Sequence, residues 1–414
     1  MSLLQIASTL IVLAGAFGAI NYLVLKLPSA IGILIVALLA SVIMMGLDLI
    51  VPSLGIADTI RAQVVGIEFS DALLEGMLGL LLFAGALHVK TSDLKREWPT
   101  VTLMATMGIA ISTAVVGYGF AYVTGMPLVF GALISPTDPV AVMGVLRETN
   151  LPKSLETKIA GESLFNDGVG YVVYLILVGA AFTGAAHGDS DTSVASATAL
   201  FAQEAIGGAA LGLVLGFLTF RVMRHIDDYS LEVLLTLGLA FGGYELAVAL
   251  HVSAPIMAVC AGLLIGDVGT RLGMSEETRK YVEAFWKLID EILNAVLFLM
   301  IGVEVFAIVF DTANVMAGLA AIVLGLFARF LAVAVPITLL RPFRDYSTGV
   351  IRIMTWGGLK GGISVALALS LPDGEWKPVI LTATYMVVVF SIIVQGLTVA
   401  RLARHVNPQP ELLP

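Results

Sequence analysis

Gly161-Glu162-Ser163-Leu164-Phe165-Asn166-Asp167-Gly168 sets two carboxylates and an amide inside a long apolar run. Asp167 falls near the centre of the apolar segment at 155–183. If that segment crosses a membrane, the carboxylate costs about 2.5–3.5 kcal/mol on insertion scales and marks a functional site by default.

Composition says that it crosses. The 414 residues are 58% hydrophobic and 13% charged, where soluble domains run near about 25% charged. Mean hydropathy is +0.99, and 42 glycines suit closely packed transmembrane helices. The net charge of −9 says little about partners; lipid is the expected surrounding and nucleic acid is not an expected partner. The single cysteine, Cys260, excludes an internal disulfide and reads as a small packed hydrophobe. No Lys or Arg precedes the first apolar segment and Lys26 follows it, the layout of a retained helix and not of a cleaved signal.

Crossing the hydrocarbon takes about 20 apolar residues per helix. Such runs fall at roughly 3–25, 28–51, 71–89, 100–123, 128–148, 155–183, 199–222, 230–250, 253–269, 283–306, 313–340, 348–371 and 377–402, about thirteen segments. Sixteen of the 22 Lys and Arg residues lie in loops after odd-numbered segments or in the tail, against Arg61 and Lys377 on the other face. The positive-inside rule then puts the N-terminus outside and the C-terminus in the cytoplasm. The expected organisation is one all-α transmembrane domain over 1–403 and a short cytoplasmic tail at 404–414.

Lys287 and Arg352 stand near segment ends and are expected to snorkel. Arg329 and Lys360 stand deep inside, opposite Asp138, Glu162 and Asp167, and pairing among these charges is the physical expectation. Glu204, Glu245, Asp290 and Glu291 lie within apolar segments. Asp267 and Glu304 are nearer segment ends and are expected to be solvated, as are the five histidines at ends and loops.

Two segments are built to be interrupted. Ser135-Pro136-Thr137-Asp138-Pro139 puts two prolines in mid-span, and Gly357-Gly358-Leu359-Lys360-Gly361-Gly362 puts four glycines around a lysine. Proline removes a backbone donor and clashes with the preceding turn. Unwound backbone at this depth survives only where it lines a cavity or is buried in protein. With segments 1–6 and 8–13 as inverted repeats, the interruptions in 5 and 12 are equivalent, which is the sequence pointer to a transporter's binding site. On a helix through 155–183, Ser163 and Asp167 form one i, i+4 pair and Glu162 and Asn166 another, turned by about 100°. Thr137, Asp138, Ser163 and Asp167 would then make an all-oxygen cluster suited to a hard monovalent cation such as Na+.

Other readings share parts of this pattern. A cation-coupled symporter of a small organic solute could use the same repeat but needs a larger, polar or aromatic midplane cavity. Gly168-Val169-Gly170-Tyr171 resembles part of a potassium filter, yet a filter is a loop repeated around a pore. An intramembrane aspartyl protease would need two aspartates, which Asp138 and Asp167 supply.

With Leu82-Phe83-Ala84-Gly85-Ala86-Leu87, Asn294-Ala295-Val296-Leu297-Phe298, Arg329 and Trp356 added to these motifs, the whole chain resembles the monovalent cation:proton antiporter-1 family, the NhaP type of bacteria and archaea. The resemblance implies a transporter without a cofactor, not an enzyme, in the plasma membrane of a prokaryote. It implies electroneutral exchange of Na+, with Li+ or K+ left open, for H+ in pH homeostasis. Asp167 would bind proton and cation alternately, with Asp138, Thr137 and Ser163 completing the site. Glu162 would pair with Arg329, Asn166 would brace the site, and Lys360 would support it. A homodimer is implied, with a mobile core of segments 4–6 and 11–13 (about 100–183 and 313–402), against a scaffold of segments 1–3 and 7–10. Discontinuous helices 5 and 12 would cross near the midplane. Two positions depart from the pattern: Ala84 stands where similar proteins often carry an acid, and Lys360 where arginine is common.

Overall fold

The structure, a computed structural model, describes residues 3–51, 77–126, 128–138, 142–143, 146, 151–183, 194–308 and 310–406. Pro139 with the second half of segment 5, the loop at 52–70 with Arg61, Arg147, most of the connection at 184–198 and the tail from 407 lie outside the described residues.

Among the described residues every regular element is helical. In chain order these are α1 (Leu3–Ile20), α2 (Ser29–Ile50), α3 (Leu78–Leu87), α4 (Thr91–Thr124), α5 (Val129–Ile134), α6 (Lys153–Val178), α7 (Val194–Met223), α8 (Tyr229–Ala249), α9 (Ala254–Leu264), α10 (Glu276–Val303), α11 (Thr312–Leu340), α12 (Val350–Trp356), α13 (Gly362–Leu369) and α14 (Lys377–Val406). Among the described residues nine helical spans are long and apolar enough to cross a membrane, with α1 carried on to Leu25 and α9 to Leu272.

Local chemistry sets their ends. Asp228, Ser253, Ser275 and Asp311 cap α8, α9, α10 and α11 by accepting from backbone N–H groups of the first turn, which satisfies donors a helix start leaves free. The short elements end where the prolines and glycines predict. α5 stops at Ile134, ahead of Pro136, and α12 and α13 are separated by residues 357–361. Gly168-Val169-Gly170-Tyr171 lies within continuous helix α6, not in a filter-like loop.

α4 and α6 pack together, α4 and α5 pack on each other, and α11 lies against both α4 and α14. Separately, α9 packs on α3, α7 and α8, while α10 packs on α2 and α3. Glycines allow the closest approaches: a Cβ on Gly170 of α6 would come within 2.5 Å of the Pro136 ring, so the helix backbone lies directly under the α5 interruption.

Two expectations fail. α4 begins at Thr91, well before 100, because its charged first turns find partners within the protein. There Glu97 is buried against Lys158 (3.2 Å) and accepts from Ser154 Oγ (2.9 Å), with Arg344 at 3.6 Å. Glu304, expected in solvent, is 4% exposed. α10 ends in a tight turn over Glu304–Ala307 that folds against α2, carrying the carboxylate inward.

Candidate functional site

Both interruptions meet. The Asp138 backbone N–H donates to the Leu359 carbonyl at 2.8 Å, so one unwound strand is bonded directly to the other. The free ends of the interrupted helices are then matched by charge. Lys360 Nζ donates to the carbonyls of Ser135 (3.0 Å) and Pro136 (3.2 Å), the acceptors α5 leaves over. Asp138 lies against Gly361 at the start of α13, so closely that a Cβ there would overlap its carboxyl. This is the glycine that the close approach requires.

α6 supplies the other wall. Asn166 Oδ1 accepts from the Thr137 N–H (3.3 Å), and Asn166 Nδ2 donates to Thr137 Oγ1 (2.8 Å). Ser163 Oγ shares a hydrogen bond with Thr137 Oγ1 at 3.0 Å. Thr137 is thus gripped by Ser163 and Asn166, one residue from each of the expected i, i+4 pairs. The correction is geometric: with 3.6 residues per turn, i+3 and i+4 fall on either side of i, so Ser163, Asn166 and Asp167 share the face toward 135–138. Glu162 points elsewhere, into a doubly hydrogen-bonded ion pair with Arg329: Nη1 to Oε1, and Nη2 to Oε2 at 2.9 Å. Arg329 Nη2 also donates to the Met354 carbonyl (3.1 Å) at the end of α12.

Lys360 departs from expectation too. It pairs with carbonyls, not with a carboxylate, because the α5 terminus offers two acceptors at once; Asp167 acts on it through charge without a hydrogen bond. Asp167 is buried, and among the described residues its Oδ1 has no hydrogen-bond partner. The structure therefore brings together Thr137, Asp138, Ser163, Asn166, Asp167 and Lys360, and sets Glu162 with Arg329 one turn away.

Sequence reasoning missed the groups that hold 357–361. A π-turn at Ser391–Gln395 in α14 presents Ser391 Oγ to the Lys360 N–H (2.9 Å) and Gln395 Nε2 to the Trp356 carbonyl (3.1 Å). Trp356 Nε1 donates to Thr398 Oγ1 at 2.8 Å. The available signal was two polar residues four apart in an apolar segment. On the α5 side, Thr113 Oγ1 shares a hydrogen bond with Ser135 Oγ at 3.0 Å.

Comparison with known proteins agrees with this architecture. The family model "Sodium/hydrogen exchanger, transmembrane" matches residues 8–405. The Na+/H+ antiporter NhaP of Pseudomonas aeruginosa is 47% identical, over 98% of this chain and 97% of its own. The Na+/H+ antiporter NhaH of Halobacillus dabanensis is 35% identical over 89% and 91%. The solved structure of the sodium proton antiporter MjNhaP1 from Methanocaldococcus jannaschii at pH 8 shares the fold, with a TM-score of 0.76 at 20% identity over 98% of this chain and 99% of that one. The chain is a multi-pass integral membrane protein, and with its paired helix interruptions and a match along nearly its whole length it belongs to the sodium/hydrogen exchanger family.

Proposed function

We propose that this protein is an electroneutral antiporter exchanging Na+ for H+ by alternating access, with the two ions competing for Asp167. The observation that carries the reading is a buried carboxylate oxygen without a partner, set beside hydroxyls already gathered at Thr137 and Ser163. A buried anion in such a place calls for a cation or a proton. Na+ as cargo would take oxygen from Asp167, Thr137 and Ser163, with Asp138 completing the charge. Asn166 cannot ionise, so a single proton balances a single Na+.

The mechanism follows from the cost of an unpaired charge. Either ion neutralises Asp167 and lets the core cross; the bare carboxylate does not. The core in this reading is α4–α6 with α11–α14, moving against α1–α3 and α7–α10 within a homodimer. Packing within each group supports that division. Charge distribution supports an outside N-terminus and a cytoplasmic C-terminus, in a prokaryotic plasma membrane.

The test is cation-driven proton movement in proteoliposomes under voltage clamp. Wild type is expected to exchange at a rate insensitive to voltage, and Asp167→Asn to lose at least about a hundredfold, the loss of a single obligatory carrier group. Coupled flux surviving in Asp167→Asn would overturn the single-carboxylate mechanism. Competition fixes a pH dependence as well: each unit of acidification should raise the apparent KM for Na+ by up to about tenfold.

A further inference from the structure

One end of the proposed core carries positive charge that the protein does not pair. α4 and α11 pack on each other, and the turn after α11 folds back onto the base of α4. Arg344 of that turn donates from Nη1 to the Arg96 carbonyl at 2.6 Å, and the Tyr346 hydroxyl shares a hydrogen bond with Thr100 Oγ1 at 2.9 Å. Arg341 stands at the start of the same turn, at the C-cap of α11. Of the acids there, Glu97 is already engaged by Lys158 (3.2 Å) and Arg344 (3.6 Å). Asp93 and Asp345 lie on the same two stretches and pair with none of these arginines. Arg96 and Arg341 are exposed, and neither makes an ion pair among the described residues. In the scaffold, by contrast, Arg271 is answered by Asp267 at 2.8 Å and Arg279 by Glu283 at 2.7 Å.

An apolar track leads to the same place. Leu319, Val323, Phe327 and Phe330 of α11 are exposed, and their spacing of three and four residues sets them on one face. Arg341, still in helical conformation, continues that face. From Phe330 to Arg341 is about 16 Å along the axis, close to half of the roughly 30 Å hydrocarbon thickness. Phe343 after α11 is 82% exposed and Trp98 at the base of α4 is 48% exposed. Such aromatic side chains belong at the headgroup level of a bilayer.

An exposed apolar face one leaflet deep, ending in unpaired guanidinium groups, has the complementary chemistry of a phospholipid. We propose that this end of α11 binds an anionic phospholipid, with its phosphate held by Arg96, Arg341 and Arg344 and an acyl chain lying along Phe327 and Phe330. Guanidinium groups suit phosphate because they donate two parallel hydrogen bonds to its oxygens. The head group ties the base of α4 to the turn after α11, and through Glu97 and Lys158 to the base of α6. Three helices of the core are then joined at one rim and move as one body. The inference rests on the reading above, which places this end in the cytoplasm and these helices in the core.

The experiment uses the full chain in detergent, given phosphatidylglycerol or phosphatidylcholine with the same acyl chains. Wild type should retain phosphatidylglycerol in native mass spectrometry, and its unfolding temperature should rise with that lipid and not with phosphatidylcholine. Arg96→Gln and Arg341→Gln alter exposed side chains and should leave the fold intact. Each should weaken retention about fivefold, whereas Arg279→Gln on the scaffold should not. In proteoliposomes phosphatidylglycerol should raise the wild-type maximal rate several-fold, and the double variant should lose that rise with the KM for Na+ unchanged. Equal retention of phosphatidylglycerol by wild type and the double variant would overturn the proposal. So would an equal rise in unfolding temperature from inorganic phosphate alone, since the α11 face would then have no part in binding. Failure of the exchange mechanism is read separately, from coupled flux in Asp167→Asn, and leaves the retention measurement standing.

Discussion

The strand at 135–138 and the strand at 357–361 lie side by side, share a hydrogen bond, and are held in opposite ways. Thr137 is gripped by side chains of α6 that leave Asp167 beside it with an unmet oxygen. At 357–361 most of the polar groups around the strand have partners: Trp356 with Gln395, Leu359 with Asp138, and Lys360 with Ser391 and the α5 carbonyls, while Arg329 Nε beside Gly358 has none among the described residues. One strand faces an unmet carboxylate oxygen, and the other is held mostly by completed bonds with only a guanidinium N–H left over. That difference is what separates the proposed binding strand from its support.

Severing the support at its charged end should have the largest effect. Arg329→Ala strands buried Glu162 and should cost about 3–5 kcal/mol of stability, read as a lowered unfolding temperature in detergent. Glu162→Gln combined with Arg329→Gln should recover most of it, since no charge is then left alone.

Changing the charge count at the incomplete strand comes next. Asn166→Asp removes the donor to Thr137 and adds a carboxylate beside Asp167. Exchange should become voltage-dependent, driven by about 2.3 kcal/mol per net charge for each 100 mV. Voltage-independent exchange in this variant would break the link between Asn166 and electroneutrality.

The smallest effects sharpen the contrast most. Ser163→Ala and Ser391→Ala each remove one buried hydroxyl partner, worth about 0.5–1.5 kcal/mol. Ser163→Ala should raise the KM for Na+ with little change in stability. Ser391→Ala should lower stability and leave KM nearly untouched. Equal KM effects would mean that both strands meet the ion.

Much of this was legible in the sequence. Prolines and glycines announced both interruptions, because their backbone limits act locally whatever the surroundings. The run at 161–168 announced its carboxylates because charge in an apolar segment is rare. What periodicity could not give is the neighbour across the gap. Lys360 finds its acceptors 225 residues away, at Ser135, and nothing near Lys360 distinguishes carbonyl partners from carboxylates. Asn166 was assigned to the Glu162 face because i+4 is the usual pairing, yet it stands between two faces and Thr137 decided the matter. Ser391 and Gln395 read as incidental polar residues until the π-turn aimed them. Glu304 looked solvated because distance to a segment end measures chain position and not depth in the packing.

Because Thr137, Asp138 and Lys360 each donate their backbone N–H to a defined acceptor, these stretches should surrender their amide hydrogens to deuterated water as slowly as regular helix does. The Asp138–Leu359 bond is then a timer: any step of the transport cycle that parts the two strands would expose that amide, and its exchange would count those openings directly.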